Sequence, residues 1–432
     1  MSATSNHELI DVQALRIGMV VHLEGGWMAH PFPLSRFKIA SVEQIATIRT
    51  LGHKRVRWEP RLSDVADTSL PVDGGVSPAP RTRADRPALA AAPLRSPEQQ
   101  ARVEHRKALA RQREALQLCE RQFAEAASAC NGLTQRVPTQ PLGAGSEARE
   151  LSRALVDKML GDQEICIQLL GGGAGGKASA HALNVTIMSL LLGRKLGLDG
   201  TDLLDLGVGA LLHDIGKIDL PDRVRQREDH FIPAEQKQYE DHVAHGVAHA
   251  RKMGLAPGAV LVVAQHHEQA DGSGFPLRLA GERMTVPARI VALVNRYDNL
   301  CNPNLAAKAL TPHEALALLF AASRHKFDAA VLGTFIKMMG VYPPGSTVQL
   351  SDDRYALVVS VNSTRPLKPR VVVHDAKVPR EDALVLDLQT HAGLGIRRSI
   401  RPLRMPPQAL DYLAPARRVV YFFEPAREVD EP

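Results

Sequence analysis

Residues 210–217 read ALLHDIGK, and this stretch decides how the chain is interpreted. Apolar positions recur from Leu203 through Leu212 at helical spacing. The run ends on His213, and Asp214, Gly216 and Lys217 follow at once. An adjacent His–Asp pair at the end of a helix offers an imidazole and a carboxylate to one region of space. A carboxylate has two oxygens and can bridge two metal ions. Residues 265–276, QHHEQADGSGFP, repeat the arrangement: His266 and His267 follow the apolar run Ala259–Ala264. A single His on a helix is ordinarily a packed or exposed residue. Here eight of the 17 His fall between 181 and 267, namely His181, His213, His230, His242, His245, His249, His266 and His267. Neutral imidazoles with a carboxylate suit Fe, Mn or Zn, so the sequence predicts a metal site.

The surroundings are helical. Patterns over Val185–Leu196, Asp202–Leu212, Ala234–Lys252, Val286–Leu300 and Thr311–Leu319 fill residues 181–340. Thr311, Pro312 and Glu314 supply the cap, the N1 proline and the N3 carboxylate of a capping box. Past residue 345 the period falls to two, with strand candidates at 347–350, 355–361, 370–374, 384–388 and 418–423. Residues 345–425 are therefore expected to form a small β-rich C-terminal domain. Upstream, residues 8–59 read as a small α/β N-terminal domain. Ser41 caps a helix through Leu51, and Val56 and Trp58 alternate on a strand. Residues 60–97, rich in Pro, Ala, Asp, Ser and Arg, read as a disordered linker. Residues 98–170 read as a helical spacer whose first part, to about 130, is polar and suits a spacer or a coiled-coil arm, with a homodimer as one outcome. GGGAGGKASA at 171–180 is a flexible break before the helical domain at 171–340.

The chain has 432 residues, which predicts two or three domains. With 44% apolar and 23% charged residues it has ordinary globular composition. Collagen-like, wholly disordered and disulfide-scaffold classes are excluded. No apolar run of about 18 residues suggests a membrane span, and the N-terminus lacks a secretory pattern, so a cytoplasmic location is expected. Cys119, Cys130, Cys166 and Cys301 are not at C-x-x-C spacing and read as reduced thiols. The net charge of +6 lies partly in Arg clusters at 81–107 and 397–418. Solvated faces account for these, and nucleic acid is not the expected partner.

Taken in order, H-x-x-N-V at His181, HDIGK at 213–217, H-x-x-x-G at His242 and HHE-x-x-DG-x-GFP at 266–276 resemble the HD-GYP family, a branch of the HD phosphohydrolases. Residues 8–59 resemble a short domain often found ahead of HD-GYP domains. The resemblance implies a mainly α protein, with an HD-superfamily helical bundle around a multi-metal centre. It implies a bacterial phosphodiesterase that hydrolyses cyclic di-GMP, with two divalent metals, Fe or Mn, as cofactors. Carried over residue by residue, His181, His213 and Asp214 resemble the ligands of one metal. Asp214 would bridge to a second held by His242, His266 and His267. Lys217 matches the lysine that faces the scissile phosphate, so Asp214 and Lys217 are the catalytic candidates. Gly274, Phe275 and Pro276 stand where the family has Gly-Tyr-Pro, and with Lys217 and Lys308 they are the substrate-binding candidates.

Four positions depart from the family pattern. Lys177 replaces the glutamate ligand of a third metal, so two metals are expected. Asn295, in NRYDNL, replaces the final aspartate ligand, while Asp298 is kept. The following NLCNPNLAAK lacks the family's cationic run and leaves Lys308 as the nearest cation. Phe275 keeps the ring of Tyr without its hydroxyl. Two readings result. One is an enzyme acting on cyclic di-GMP, or less directly on another phosphoester. The other is a catalytically weak or inactive module that binds cyclic di-GMP or a partner protein, such as another cyclic di-GMP signalling protein.

Overall fold

The computed structural model describes residues 8–23, 36–51, 53–60, 63, 96–160, 164–171, 176–225, 231–391 and 393–425. They divide into two compact units, with the boundary between Arg111 and Gln112. Almost all of the expected linker at 60–97 lies outside the described residues.

In the first unit, β1 (Glu8–Asp11), β2 (Val20–His22), β3 (Arg36–Lys38) and β4 (Arg55–Trp58) form an antiparallel sheet in the order β1-β4-β2-β3. Helix α1 (Val42–Thr50) starts where the Ser41 side chain accepts from the Gln44 amide, as the sequence predicts. Val21, Ile39, Ile45, Ile48 and Val56 are buried and make the core. On β4, Arg55 and Arg57 face solvent while Val56 points inward, which is the period-two pattern of a half-buried strand.

Helix α2 (Pro97–Arg136) runs on from this unit into the second. Its polar first part gives way to a buried stripe of Cys119, Phe123, Ala126, Cys130 and Leu133. These lie three and four residues apart, so they share one face. Helix α3 (Pro141–Met159) follows, then β5 (Ile165–Leu170) and the helices that carry the histidines: α4 (Lys177–Lys195), α5 (Gly200–Leu212), α6 (Asp222–Arg225), α7 (Pro233–Lys252), α8 (Pro257–Gln265) and α9 (Val286–Cys301). Helices α10 (Pro312–Ala322) and α11 (Ala329–Met339) complete the bundle, and the predicted capping box of α10 is formed. Helix α4 is buried on nearly every side, from Leu183 to Leu192, and is the central element. All four cysteines are buried free thiols. No helix among the described residues is long and apolar enough to cross a membrane.

The C-terminal region contains β6 (Thr347–Leu350), β7 (Tyr355–Asn362), β8 (Arg370–Val373), β9 (Val385–Asp387), β10 (Ile396–Ser399), α12 (Pro407–Leu413) and β11 (Val420–Pro425). The expectation of a separate β-rich domain at 345–425 is corrected here. The sheet runs β10-β6-β7-β5-β11, so β5 from residues 165–170 lies between two tail strands. Ile165 pairs with Pro425 and Leu170 with Val420 on one side, and Cys166 pairs with Asn362 on the other. The helical spacer at 98–170 is corrected with it, because its last six residues are this strand. ICIQLL is a short, continuously apolar run, and a strand buried on both faces has no alternation to distinguish it from helix.

Candidate metal centre

Helices α5 and α8 bring the centre together. A Cβ on Gly209 would stand 2.5 Å from Val262 Cβ, so only glycine permits so close a crossing. Each helix ends at a histidine. His213 and His266 are the C-cap residues of α5 and α8, and their rings lie 5.1 Å apart. His181 comes from α4 and His242 from α7. Asp214 lies just after α5, at the head of a 3-10 turn over Ile215–Asp219.

The carboxylate of Asp214 divides the histidines into two sets. Oδ2 is 3.6 Å from His181 Nε2 and 3.4 Å from His213 Nε2. Oδ1 is 3.5 Å from His242 Nε2 and 3.6 Å from His266 Nε2. His267 joins the second set, with donor atoms all within 4.8 Å of one another. Five of the expected site residues, all histidines, are thus assembled around the carboxylate of a sixth.

The rings are oriented from behind. His213 Nδ1 donates to Ala210 O and His266 Nδ1 to Val263 O, each at 2.7 Å, and His242 Nδ1 donates to Tyr239 O. This is one local device used three times, a bond to the carbonyl three residues back. It fixes the proton on Nδ1 and leaves Nε2 as a lone pair. Burial holds His213 below its ordinary pKa, pushes His242 down to about 3 and holds His267 well below, so these rings are neutral. His242 Nε2 and His266 Nε2 face each other at 3.3 Å. Asp214 Oδ1 and His267 Nε2 are buried without a hydrogen-bond partner. Converging bare lone pairs and orphaned acceptors repel one another, and a cation between them relieves that repulsion. The donor set therefore fits divalent metal ions.

Burial would raise the pKa of Asp214, but Lys217 and His213 outweigh it and hold the carboxyl well below its usual range. Lys217 Nζ donates to Asp214 Oδ2 at 2.6 Å and lies 5.3 Å from the centre of the Tyr239 ring. The other expected residues are placed differently. Phe275 stacks on His267 at 4.5 Å, with 22° between the rings, so it buttresses a histidine of the second set. Gly274 is required by close approach, since a Cβ there would meet Gln269 N at 2.4 Å and His267 O at 2.5 Å. Pro276 follows a cis peptide bond. Glu268 accepts from the Leu277 and Leu279 amides at 2.7 and 2.8 Å and ties this loop back under the histidines. Lys308 is exposed on a 3-10 turn over Ala306–Lys308. Asn295 is buried on α9, where its oxygen accepts from Asn299 Nδ2 at 2.7 Å.

Sequence reasoning kept Asp298 only as a motif position, yet its Oδ2 lies 2.6 Å from His181 Nδ1 and orients that ring. Asn184 stands in the sequence only as the Asn of the H-x-x-N-V motif, with no role attached, and Asn302 and Tyr239 belong to none of the motifs. Position is the further signal for the asparagines: Asn295, Asp298 and Asn302 stand three and four apart on α9, and Asn184 is three residues after His181.

Residues 164–331 match the HD domain family, and residues 8–144 match a domain of unknown function. Residues 164–331 have the HD domain fold. The HD-domain match includes β5, which the sequence reading had left outside. The chain is 27% identical over 372 residues to a cyclic di-GMP phosphodiesterase of Pseudomonas aeruginosa, covering 84% of each protein. It is 30% identical over 165 residues to the cyclic di-GMP phosphodiesterase response regulator RpfG of Xanthomonas campestris pv. campestris, covering 38% of this chain and 43% of that one. A solved HDG"Y"P protein from Bdellovibrio bacteriovorus is similar at 16% identity and a TM-score of 0.42, over 76% of this chain and 98% of that one.

Proposed function

We propose that this HD-domain protein is a metal-dependent phosphodiesterase that hydrolyses cyclic di-GMP. The observation that carries the reading is the division of Asp214 between two histidine sets, with Oδ2 toward His181 and His213 and Oδ1 toward His242 and His266. The relatives named as cyclic di-GMP phosphodiesterases support the choice of substrate. His181, His213 and Asp214 hold one divalent ion, and Asp214, His242, His266 and His267 hold a second. The imidazole-rich, carboxylate-bridged donors suit Fe or Mn. Two such ions supply Lewis acidity to a phosphodiester and to an attacking water.

The chain's own residues do the rest. His213, His242 and His266 turn Nδ1 to a carbonyl of their own helix and His181 turns Nδ1 to Asp298, so each presents Nε2 to the centre. Lys217, held beside Asp214, presents an ammonium to a non-bridging phosphate oxygen, where negative charge grows during displacement. Phe275 keeps His267 in place and covers one face of its ring. Turnover of cyclic di-GMP by the Mn- or Fe-loaded protein, with separation of linear dinucleotide from GMP, tests the reading. Loss of turnover in Asp214→Ala is expected. Full turnover by a metal-free protein overturns it.

Asn295 favours a second reading, a module that binds cyclic di-GMP without hydrolysing it. A neutral amide stands where the family has an aspartate, and its oxygen already accepts from Asn299. Tight binding of cyclic di-GMP with two metals present and no turnover selects this reading.

A further inference from the structure

We infer that Asn184 and Asn302 are positioning residues that make the C-terminal strand part of the metal centre. The inference rests on the assignment of His181 as a metal ligand. Asp298 orients His181 through its Oδ2, and its other oxygen is held from two sides. Asn184 Nδ2 donates to Asp298 Oδ1 at 2.8 Å, and Asn302 Nδ2 donates to the same oxygen at 2.9 Å. Both asparagines also bind the start of the C-terminal strand. Asn184 Nδ2 donates to Val419 O at 2.9 Å and Asn302 Nδ2 at 2.8 Å. In return Val419 N donates to Asn302 Oδ1 at 2.8 Å, and Tyr421 N donates to Asn184 Oδ1 at 2.9 Å.

Six hydrogen bonds thus join the backbone at 419–421 to one carboxylate. Asp298 and Asn184 are buried at 2% exposure each, so neither exchanges these bonds for water without cost. Each amide is satisfied only while the strand and Asp298 are both in place. A displaced strand leaves two amides free to rotate, and Asp298 loses the donors that aim it at His181. Outer partners of this kind set ligand orientation and affinity. The arrangement is one-sided. Asp298 is bonded to His181, whereas His213, His242 and His266 are oriented by carbonyls of their own helices. The strand therefore governs the ion at His181 and leaves the other ion alone.

The test uses the full-length chain titrated with Mn, with ions per chain measured by elemental analysis and affinity by Mn electron paramagnetic resonance. Asn184→Ala combined with Asn302→Ala is expected to weaken one of two Mn equivalents about 10- to 100-fold and leave the second unchanged. Asn302→Asp serves where the double variant fails to fold. Its carboxylate still accepts from Val419 N, but it loses the donor to Asp298 and adds a like charge beside it, so it is expected to weaken the same equivalent. His181→Ala marks the phenotype by loss of that equivalent. Two unchanged Mn affinities in folded Asn variants, with one equivalent lost in His181→Ala, overturn the inference alone. Two equivalents retained in His181→Ala overturn the ligand assignment beneath it.

Discussion

Gly216 and His242 touch through their backbones: a Cβ on Gly216 would stand 2.0 Å from the His242 carbonyl oxygen and 2.3 Å from Gly246 N. The turn that follows the His213–Asp214 pair is pressed against α7 at the very residue that supplies a histidine of the second set. Both clashing atoms are backbone, so neither can rotate away. Gly216→Ala should cost about 1–3 kcal/mol and lower the metal content, read by urea denaturation and elemental analysis. Gly333→Ala is the contrast. Its Cβ would meet nothing within 4 Å on α11, so it should be neutral or stabilising by up to about 1 kcal/mol. Equal losses in the two variants would show that close approach is not what Gly216 provides.

Asp214 is the shared element of both histidine sets, so its removal differs in kind from removal of one histidine. Asp214→Ala should abolish binding of both ions, whereas His267→Ala should leave the ion at His181 bound. Metal per chain after gel filtration decides this. An Asp214→Ala protein that keeps both ions would rule out a bridging carboxylate.

The parts of this molecule that announce themselves in sequence are those with a local cause. HDIGK and the His266–His267 pair were legible because each needs a helix end, and helix ends leave marks: an apolar run that stops, a glycine, a change of residue type. Ser41 and Thr311 are legible as caps for the same reason. Strand β5 was not, because its pairing with β7 joins residues about 200 apart and its pairing with β11 joins residues about 250 apart, and its burial on both faces erases the period-two pattern. Nor was the Asn184–Asp298–Asn302 cluster, whose logic lies in the third partner, a backbone strand at 419–421.

Since β5 lies between β7 and β11, a chain ending near residue 340 would expose both edges of a buried apolar strand. The truncated chain should aggregate or lose cooperative unfolding, and any soluble fraction should lack the ion at His181. A truncated protein that stays monomeric with full metal would restore an independent tail.

Glu125 predicts the pH dependence of stability. It is half-buried on α2, its Oε2 has no hydrogen-bond partner, and burial pushes its pKa up to about 7 against the opposing pull of Arg121. A carboxyl raised in the folded state is stable while protonated, so its contribution is intact below about pH 4.5 and is lost as pH rises through about 7. After allowance for partial exposure to solvent, the loss should be about 1–2 kcal/mol. Glu125→Gln should match the parent near pH 5 and be more stable at pH 8. Parallel stability curves for the two proteins from pH 5 to pH 8 would remove Glu125 as the cause.

Asn295 stands one turn before Asp298 on α9, at 3% exposure, with its oxygen bonded to Asn299 Nδ2. Asn295→Asp keeps that acceptor, so the bond from Asn299 survives and the shape of the site is unchanged. What changes is charge. Without metal, a buried carboxylate with one amide donor is poorly solvated, and the substitution should destabilise the metal-free protein by about 1–3 kcal/mol. With metal, the same charge lies close to a divalent cation and the Coulomb term reverses sign. The two effects together predict a larger rise in melting temperature on Mn addition for Asn295→Asp than for the parent, since stabilisation by a ligand grows with its affinity for the folded state. Mn affinity at the His181 set should rise while the His242 set stays constant, and turnover at limiting Mn should rise with it. If the melting temperature of the metal-free variant is unchanged and its Mn response matches the parent, residue 295 lies outside the field of the ion. Asn295 would then be a packing residue of α9, and the His181 set would work with Asp214 as its sole carboxylate.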